Sequence, residues 1–326
     1  MFSMSTAKPL PTGFRNDPWP AAGVPVEYRP ARSDEVLKRT PSGQSFFWAL
    51  NPYSGCEFAC TTCPARSLAP FADAEYTVFE RSIHLRTNAA EAVAKAMREE
   101  HFKGVPLVLG TTTDPWQPVE RKALITRSIL ETLSHFEGVD LRAQTRSSLT
   151  PRDADLLSVI ARKGKVSVTY SIGTLDTRLA RLLEPLAPTP DRRFIAMEAL
   201  ARAGIRVGIL LSPVLPGLND SMPALEGLLR RARDSGATFA SAAPLTITAA
   251  ARAKVVQYVS RYDPELATRY GRLLTRTADF EPGFEGKLKH RFADVCERHG
   301  LANAWEPSRQ AERRESNDEP RQLSLF

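Results

Sequence analysis

The chain has 326 residues, 42% hydrophobic and 25% charged, with a formal net charge of +7. This composition supports a full globular core. No apolar run approaches the roughly 20 residues that a membrane span needs, and the opening MFSMSTAKPLPTGFR lacks the apolar stretch of a secretory signal. The positive charge permits a nucleic-acid partner without requiring one, and the expected location is the cytoplasm.

Residues 1–43 hold seven prolines and no sustained periodicity, which predicts an extended arm laid over the domain or partly disordered. Phe46 to Leu50 is a short apolar run closed by Asn51-Pro52-Tyr53-Ser54-Gly55, the pattern of a buried strand followed by a turn. That turn delivers Cys56, Cys60 and Cys63, three of only four cysteines in the chain. The spacing C-x3-C-x2-C gathers three thiolates on one loop and suits an iron–sulfur cubane with one iron left open. Paired C-x2-C clips of a zinc finger are missing nearby. A clustered set without an export signal reads as metal ligands in a reducing compartment, not as disulfides.

A strand–helix rhythm follows. Strands are expected at 105–109, 139–143, 166–172, 205–211 and 237–243, and helices at 88–101, 120–136, 151–162, 191–203 and 222–234. Thr150 is the expected cap of the 151–162 helix, with Pro151 at its first position. Counting Phe46–Leu50, six apolar strands alternate with helices, which predicts a parallel sheet. The fold class is α/β. An open six-stranded (β/α) barrel is the first choice, and a flat doubly wound sheet the fallback. In either, the loops beyond the carboxyl ends of the strands carry the site.

Helical patterns at 251–261, 264–275 and 284–299 form a C-terminal extension that closes the open side or lower rim of the barrel. Residues 306–321, EPSRQAERRESNDEPR, carry nine charges in sixteen positions, too polar to fold alone. The expected organisation is therefore an arm at 1–43, a core at 44–250, a helical extension at 251–305 and a disordered tail at 306–326.

The cysteine loop, together with LGTTTDPWQPVERK, TRSSLTPRDADLL, VSVTYSIGTLD and the stretch from LEPLAPTP to SPVLPGLND, resembles the radical S-adenosylmethionine (SAM) superfamily. Within it, the chain is similar to bacterial enzymes related to spore photoproduct lyase. The resemblance covers roughly residues 40 to 300. It implies a partial (β/α)6 barrel in which Cys56, Cys60 and Cys63 ligate a [4Fe-4S] cluster whose open iron is chelated by SAM. Reductive cleavage of SAM then yields a 5′-deoxyadenosyl radical, with flavodoxin or ferredoxin as the kind of electron donor.

The resemblance also implies roles for the strand-end loops. Thr112, Thr113 and Asp114 contact the cofactor's amino group or ribose, or else form a capped turn. Arg146, followed by Ser147, stands where relatives carry a lysine near the cofactor carboxylate, and otherwise is a surface arginine. Ser171 contacts the cofactor or bonds to the backbone. Pro216 and Gly217, within SPVLPGLND, flank the adenine or form a plain turn. Glu184 is expected in a local ion pair with Arg192 or Arg193.

Two departures from the family pattern bear on the reaction. Thr62 and Pro64 replace aromatic residues beside the third cysteine, and no cysteine lies between Cys63 and Cys296, where the lyases keep a hydrogen donor. Cys296 itself is a core filler, a hydrogen donor or a fourth zinc ligand. The last five residues, Gln322-Leu323-Ser324-Leu325-Phe326, resemble the peptide by which bacterial repair proteins dock on the DNA sliding clamp. A tethered extended peptide with apolar anchors suits such recruitment. The combined reading is a radical enzyme acting on nucleic acid, in DNA repair. The alternatives are a non-catalytic metal-binding adaptor at the clamp, and a radical enzyme acting on a protein or small molecule.

Overall fold

In the computed structural model, residues 25–42, 45–68, 70–72, 74–75, 77–99, 104–245, 249–276 and 283–305 are described. Most of the expected arm, and the tail with its terminal peptide Gln322–Phe326, lie outside the described residues. The strands are β1 (Glu27–Ala31), β2 (Leu37–Ser42), β3 (Ser45–Leu50), β4 (Tyr53–Ser54), β5 (Ser82–Arg86), β6 (Leu107–Leu109), β7 (Asp140–Thr145), β8 (Lys165–Ser171), β9 (Arg206–Val214), β10 (Phe239–Pro244) and β11 (Ala302–Asn303). Eight of them form one sheet in the order β11-β10-β9-β8-β7-β6-β3-β2. Every neighbouring pair from β3 to β11 is parallel, and β2 alone runs antiparallel, on β3.

The six expected strands are thus β3 and β6 to β10, side by side in chain order. Crossovers between parallel neighbours are right-handed as a rule, and with successive strands adjacent that rule puts the connecting helices on one face. A doubly wound sheet would reverse its winding at a switch point; this one does not, so the flat fallback is replaced by the partial barrel. Among the described residues no pairing joins β2 to β11, and the barrel stays open.

The helices are α1 (Val78–Arg81), α2 (Ala89–Ala96), α3 (Glu120–Ala123), α4 (Ile125–Leu133), α5 (Ala154–Lys163), α6 (Thr177–Leu183), α7 (Pro190–Arg202), α8 (Met222–Asp234), α9 (Ala249–Tyr262), α10 (Pro264–Arg276) and α11 (Phe284–Arg298). Leu141, Val168, Val207 and Ile209 from the sheet meet Leu130, Ile160, Met197 and Leu229 from the helices in one fully buried cluster. Truncating any of these leucines to alanine costs about 2–5 kcal/mol. Among the described residues no helix is long and apolar enough to cross a membrane.

Several elements differ from the sequence expectation. Residues 27–42 of the expected arm form β1 and β2. The single helix expected at 120–136 is two, broken at Leu124 with φ +53°. Thr150 does not cap: a 3-10 turn over Thr150–Asp153 precedes α5, and the Thr150 hydroxyl pairs with that of Tyr170. Helix α6 starts where Asp176 accepts from the N–H groups of Arg178 and Leu179, an N-cap that the sequence reading passed over.

Candidate active site

The cysteine loop leaves the core at β4, and Gly55 turns it. Gly55 has φ +87°, and a Cβ there would stand 2.7 Å from the Ser82 carbonyl and 2.8 Å from that of Phe79. Both obstacles are backbone, so neither can swing aside. Gly55→Ala is expected to displace the loop and to lower the iron bound per chain, as measured by metal analysis of the folded variant.

The loop is then tied down from several sides. The Gly55 carbonyl accepts from Thr113 Oγ1 at 2.6 Å and from Gln117 Nε2 at 3.3 Å. The Glu57 N–H donates to Gln117 Oε1 (2.9 Å), and its carboxylate accepts from the Val119 N–H (2.7 Å) and the Tyr28 hydroxyl (3.0 Å). Thr61 Oγ1 donates to the carbonyls of Leu182 and Leu183, the last residues of α6, at 3.0 and 3.1 Å. Arg66 donates Nε to the Cys60 carbonyl at 3.1 Å while its Nη1 pairs with Glu80 at 2.7 Å, and both side chains are buried. Ala59 holds φ +55° and belongs to one buried cluster with Leu179, Leu183, Tyr258 and Tyr270, side chains from α6, α9 and α10.

Cys56 and Cys60 are buried and Cys63 half-buried, in an apolar setting of Phe58, Phe71 and Phe79. Burial drives the Cys56 thiol well above its ordinary range, with Asp114 adding to the effect. It pushes Cys60 up to about 12 against the opposing pull of Arg146. Without a cation such thiols stay protonated, which disfavours a free nucleophile; a bound metal displaces the protons.

Among the described residues no three Cys, His, Asp or Glu side chains converge tightly enough for one metal ion. Thiolates around a single zinc sit about 3.8 Å apart, given bonds of about 2.3 Å, whereas cubane ligands bind separate irons and lie wider. Three thiols on one apolar loop fit the cluster. Cys296 cannot complete a zinc site with them. It is 1% exposed in the core beside Phe292, Val295 and Trp305, in a packing cluster separate from the cysteine loop, and burial pushes its thiol up to about 12.

The neighbouring loops meet this one. After β6, Gly110 (φ +93°) admits the chain where a Cβ would stand 2.6 Å from the Gln144 carbonyl. Asn51 Oδ1 takes the Thr112 N–H at 3.0 Å, and its Nδ2 donates to Thr111. The Asp114 carboxylate is shared between the Trp116 N–H, the Thr145 hydroxyl and the Arg146 N–H. Thr113 and Asp114 therefore brace the β6 and β7 loops against the cysteine turn. Burial raises the Asp114 carboxyl, and these three donors oppose the rise.

The charge of Arg146 acts on both Cys60 and Cys63. Its Nε pairs with Glu184 Oε1 at 2.6 Å, and Glu184 Oε2 pairs with Arg193 at 2.5 Å. The expected Glu184–Arg193 pair is present; the Arg146 arm of it was invisible in sequence, since 38 residues separate the partners. Burial works against the Glu184 charge, yet Arg193 and Arg146 hold its carboxyl below the usual value. Ser171 Oγ lies 3.4 Å from the Ser212 carbonyl.

A narrow recess of about 10 Å³, room for little more than one water molecule, is lined by Ile172–Thr174, Glu184, Arg193 and Ser212–Pro213. At its far side Asn219 bonds the carbonyls of Gly173 and Pro213 and the Leu215 N–H. The Pro216 carbonyl accepts from Tyr270, and the Gly217 N–H donates to Asp220.

Residues 50–226 match the family model described as the Radical SAM superfamily. An uncharacterised protein of Mycobacterium tuberculosis is 30% identical over 276 residues, 84% of this chain and 81% of its own. The fold is shared with a spore photoproduct lyase solved with bound AdoMet and dinucleoside spore photoproduct, at TM-score 0.59 and 15% identity over 85% of this chain and 81% of that one. It is shared also with SuiB of Streptococcus suis bound to precursor peptide SuiA, at TM-score 0.53 and 14% identity over 80% and 48%.

Proposed function

Because the chain belongs to the radical SAM superfamily, whose members are enzymes that use a [4Fe-4S] cluster and SAM and need a reductant, we propose that Cys56, Cys60 and Cys63 each bind one iron of that cluster and that the enzyme acts on nucleic acid, in DNA repair. When bound, the two cofactors supply a 5′-deoxyadenosyl radical that abstracts hydrogen from a substrate, and the protein supplies placement and shelter. The carrying observation is the three-thiol loop beyond the carboxyl end of β3, with the charge of Arg146 acting on Cys60 and Cys63.

Each surrounding group has a task in this reading. Arg146 receives the carboxylate of SAM through a two-pronged contact. The Thr112–Asp114 turn and Ser171 set the width of the mouth, and Pro216 and Gly217 flank the adenosine. Phe58, Phe71 and Phe79 keep water from the thiol side. Flavodoxin or ferredoxin is the class of electron donor, and the cytoplasm the location.

The test is anaerobic reconstitution followed by dithionite reduction. About four irons per chain and 5′-deoxyadenosine formed only with reductant are expected; a fully loaded, reduced protein that cleaves no SAM rejects the proposal. Nucleic acid as substrate draws support from the net charge of +7 and from the lyase-like fold that spans most of both chains. The likeness to SuiB favours a second reading, a peptide substrate. DNA binding at low salt, weakening steeply as salt rises, separates them, because a peptide enzyme need not bind DNA at all.

Gln322–Phe326 are proposed to dock the enzyme on the sliding clamp. Deleting these five residues is expected to abolish clamp binding in a pull-down with purified clamp and to leave SAM cleavage unchanged.

A further inference from the structure

Arg146, Glu184 and Arg193 form a row of charges that ligation of the cluster does not itself require. Glu184 is 6% exposed and divides its oxygens, Oε1 to Nε of Arg146 and Oε2 to Nη2 of Arg193. Arg193 is 1% exposed and fixed on its other edges, with Nη1 donating to the Ser171 carbonyl at 2.7 Å and Nε to that of Pro188 at 2.9 Å. Ser171 is the last residue of β8, so one end of the row is fastened to the sheet. At the other end the Arg146 side chain keeps 28% exposure. Its backbone N–H is held by Asp114 at 2.6 Å. Among the described residues Nη1 and Nη2 have no hydrogen-bond partner, and the guanidinium charge acts on Cys60 and Cys63.

Glu184 takes only the Nε of Arg146 and leaves the Nη edge as donors at the exposed end, the arrangement that suits an anion there. A guanidinium grips a carboxylate well only when its plane is fixed, because the two N–H groups must line up with two oxygens. Engaging Nε fixes that plane and turns the Nη edge outward.

We infer that Glu184 is a positioning residue that orients Arg146 to receive the carboxylate of the bound cofactor. This rests on the reading of the site given above. Glutamine at 184 keeps the shape but can accept with only one of its two ends. Its amide NH2 then opposes one of the arginines, and Arg146 loses its bearing.

The experiment measures equilibrium binding of SAM and of decarboxylated SAM to reconstituted protein without reductant, so that nothing turns over. For Glu184→Gln, iron and sulfide are expected to stay at the wild-type level. Affinity for SAM should fall about tenfold, or about 1.4 kcal/mol, while affinity for the decarboxylated analogue stays within about twofold. If Glu184→Gln fails to fold, Glu184→Asp decides the matter, since a carboxylate with a shorter reach to Arg146 should give the same selective loss in smaller measure. Glu184→Asp should recover part of the SAM affinity. Equal losses for both ligands, or none, would overturn the inference. Wild-type protein that assembles its iron yet binds neither ligand would overturn the cofactor reading, and this inference with it.

Discussion

Replacing Cys60 with alanine is expected to strip the iron and to end SAM cleavage while the protein stays folded. Residues that merely orient metal ligands are worth about 10–100-fold in affinity or activity, so loss of a ligand should exceed that range. The fold should survive because position 60 is anchored through its backbone: its carbonyl accepts from Arg66 and from the Cys63 N–H, neither of which needs the sulfur. Iron and sulfide analysis beside far-ultraviolet circular dichroism separates the two effects. Cys296→Ala is the comparison, expected to leave iron and cleavage unchanged because its thiol packs in the core. An iron content in Cys60→Ala equal to wild type would remove this cysteine from the ligand set.

The second large effect is expected at Glu80. With Arg66 it forms an ion pair whose side chains are 5% and 4% exposed, and the Arg66 guanidinium also lies 4.9 Å from the centre of the Phe79 ring. Removing one partner of a buried pair costs about 3–5 kcal/mol, because the other charge remains uncompensated. Glu80→Ala should lose about that much in urea unfolding at pH 8, and part of the bound iron, since Arg66 is the brace on the Cys60 carbonyl.

The same carboxylate gives a pH signature. Burial outweighs the attraction of Arg66 and raises Glu80 from 4.5 to about 7. The folded protein therefore holds the Glu80 proton more tightly than the unfolded chain does. The resulting stabilisation is complete below about pH 4.5 and is lost as pH rises through about 7. The stability difference between wild type and Glu80→Gln should shift against wild type across that interval. A difference independent of pH would mean that Glu80 stays ionised throughout.

The parallel strands were legible because each is a short apolar run set between helices of clear period. Strands β1 and β5 were not. Their sequences, EYRPA and SIHLR, mix charge, proline and histidine with few apolar residues, and they pair with each other from positions more than fifty apart. The break at Leu124 carries no glycine, asparagine or proline to announce it, so tertiary packing imposes that left-handed residue. In the site, the thiol spacing was legible because the three cysteines are local in the chain. The partners of Glu57, Arg66 and Arg146 did not, since ion pairs and hydrogen bonds between distant loops leave no period or spacing in a chain. Asp114 shows the limit from the other side. Its place in the TTTD turn suggested a cofactor contact or a capped turn, and nothing in the sequence showed that its oxygens would take the Thr145 hydroxyl and the N–H groups of Trp116 and Arg146.

The packing of Ala59 has a consequence for biosynthesis. This residue sits between the first two cysteines, yet the buried cluster it joins is built from α6 and from side chains of α9 and α10 such as Tyr258 and Tyr270, which leave the ribosome long after the cysteines. Thr61 likewise waits for carbonyls 121 and 122 residues downstream. A nascent chain halted before α9 would present its thiols on a loop without its final floor, so iron delivery is expected to follow synthesis of the C-terminal helices. Maturation of the metal centre and completion of translation would then be ordered in time by one methyl group's choice of neighbours.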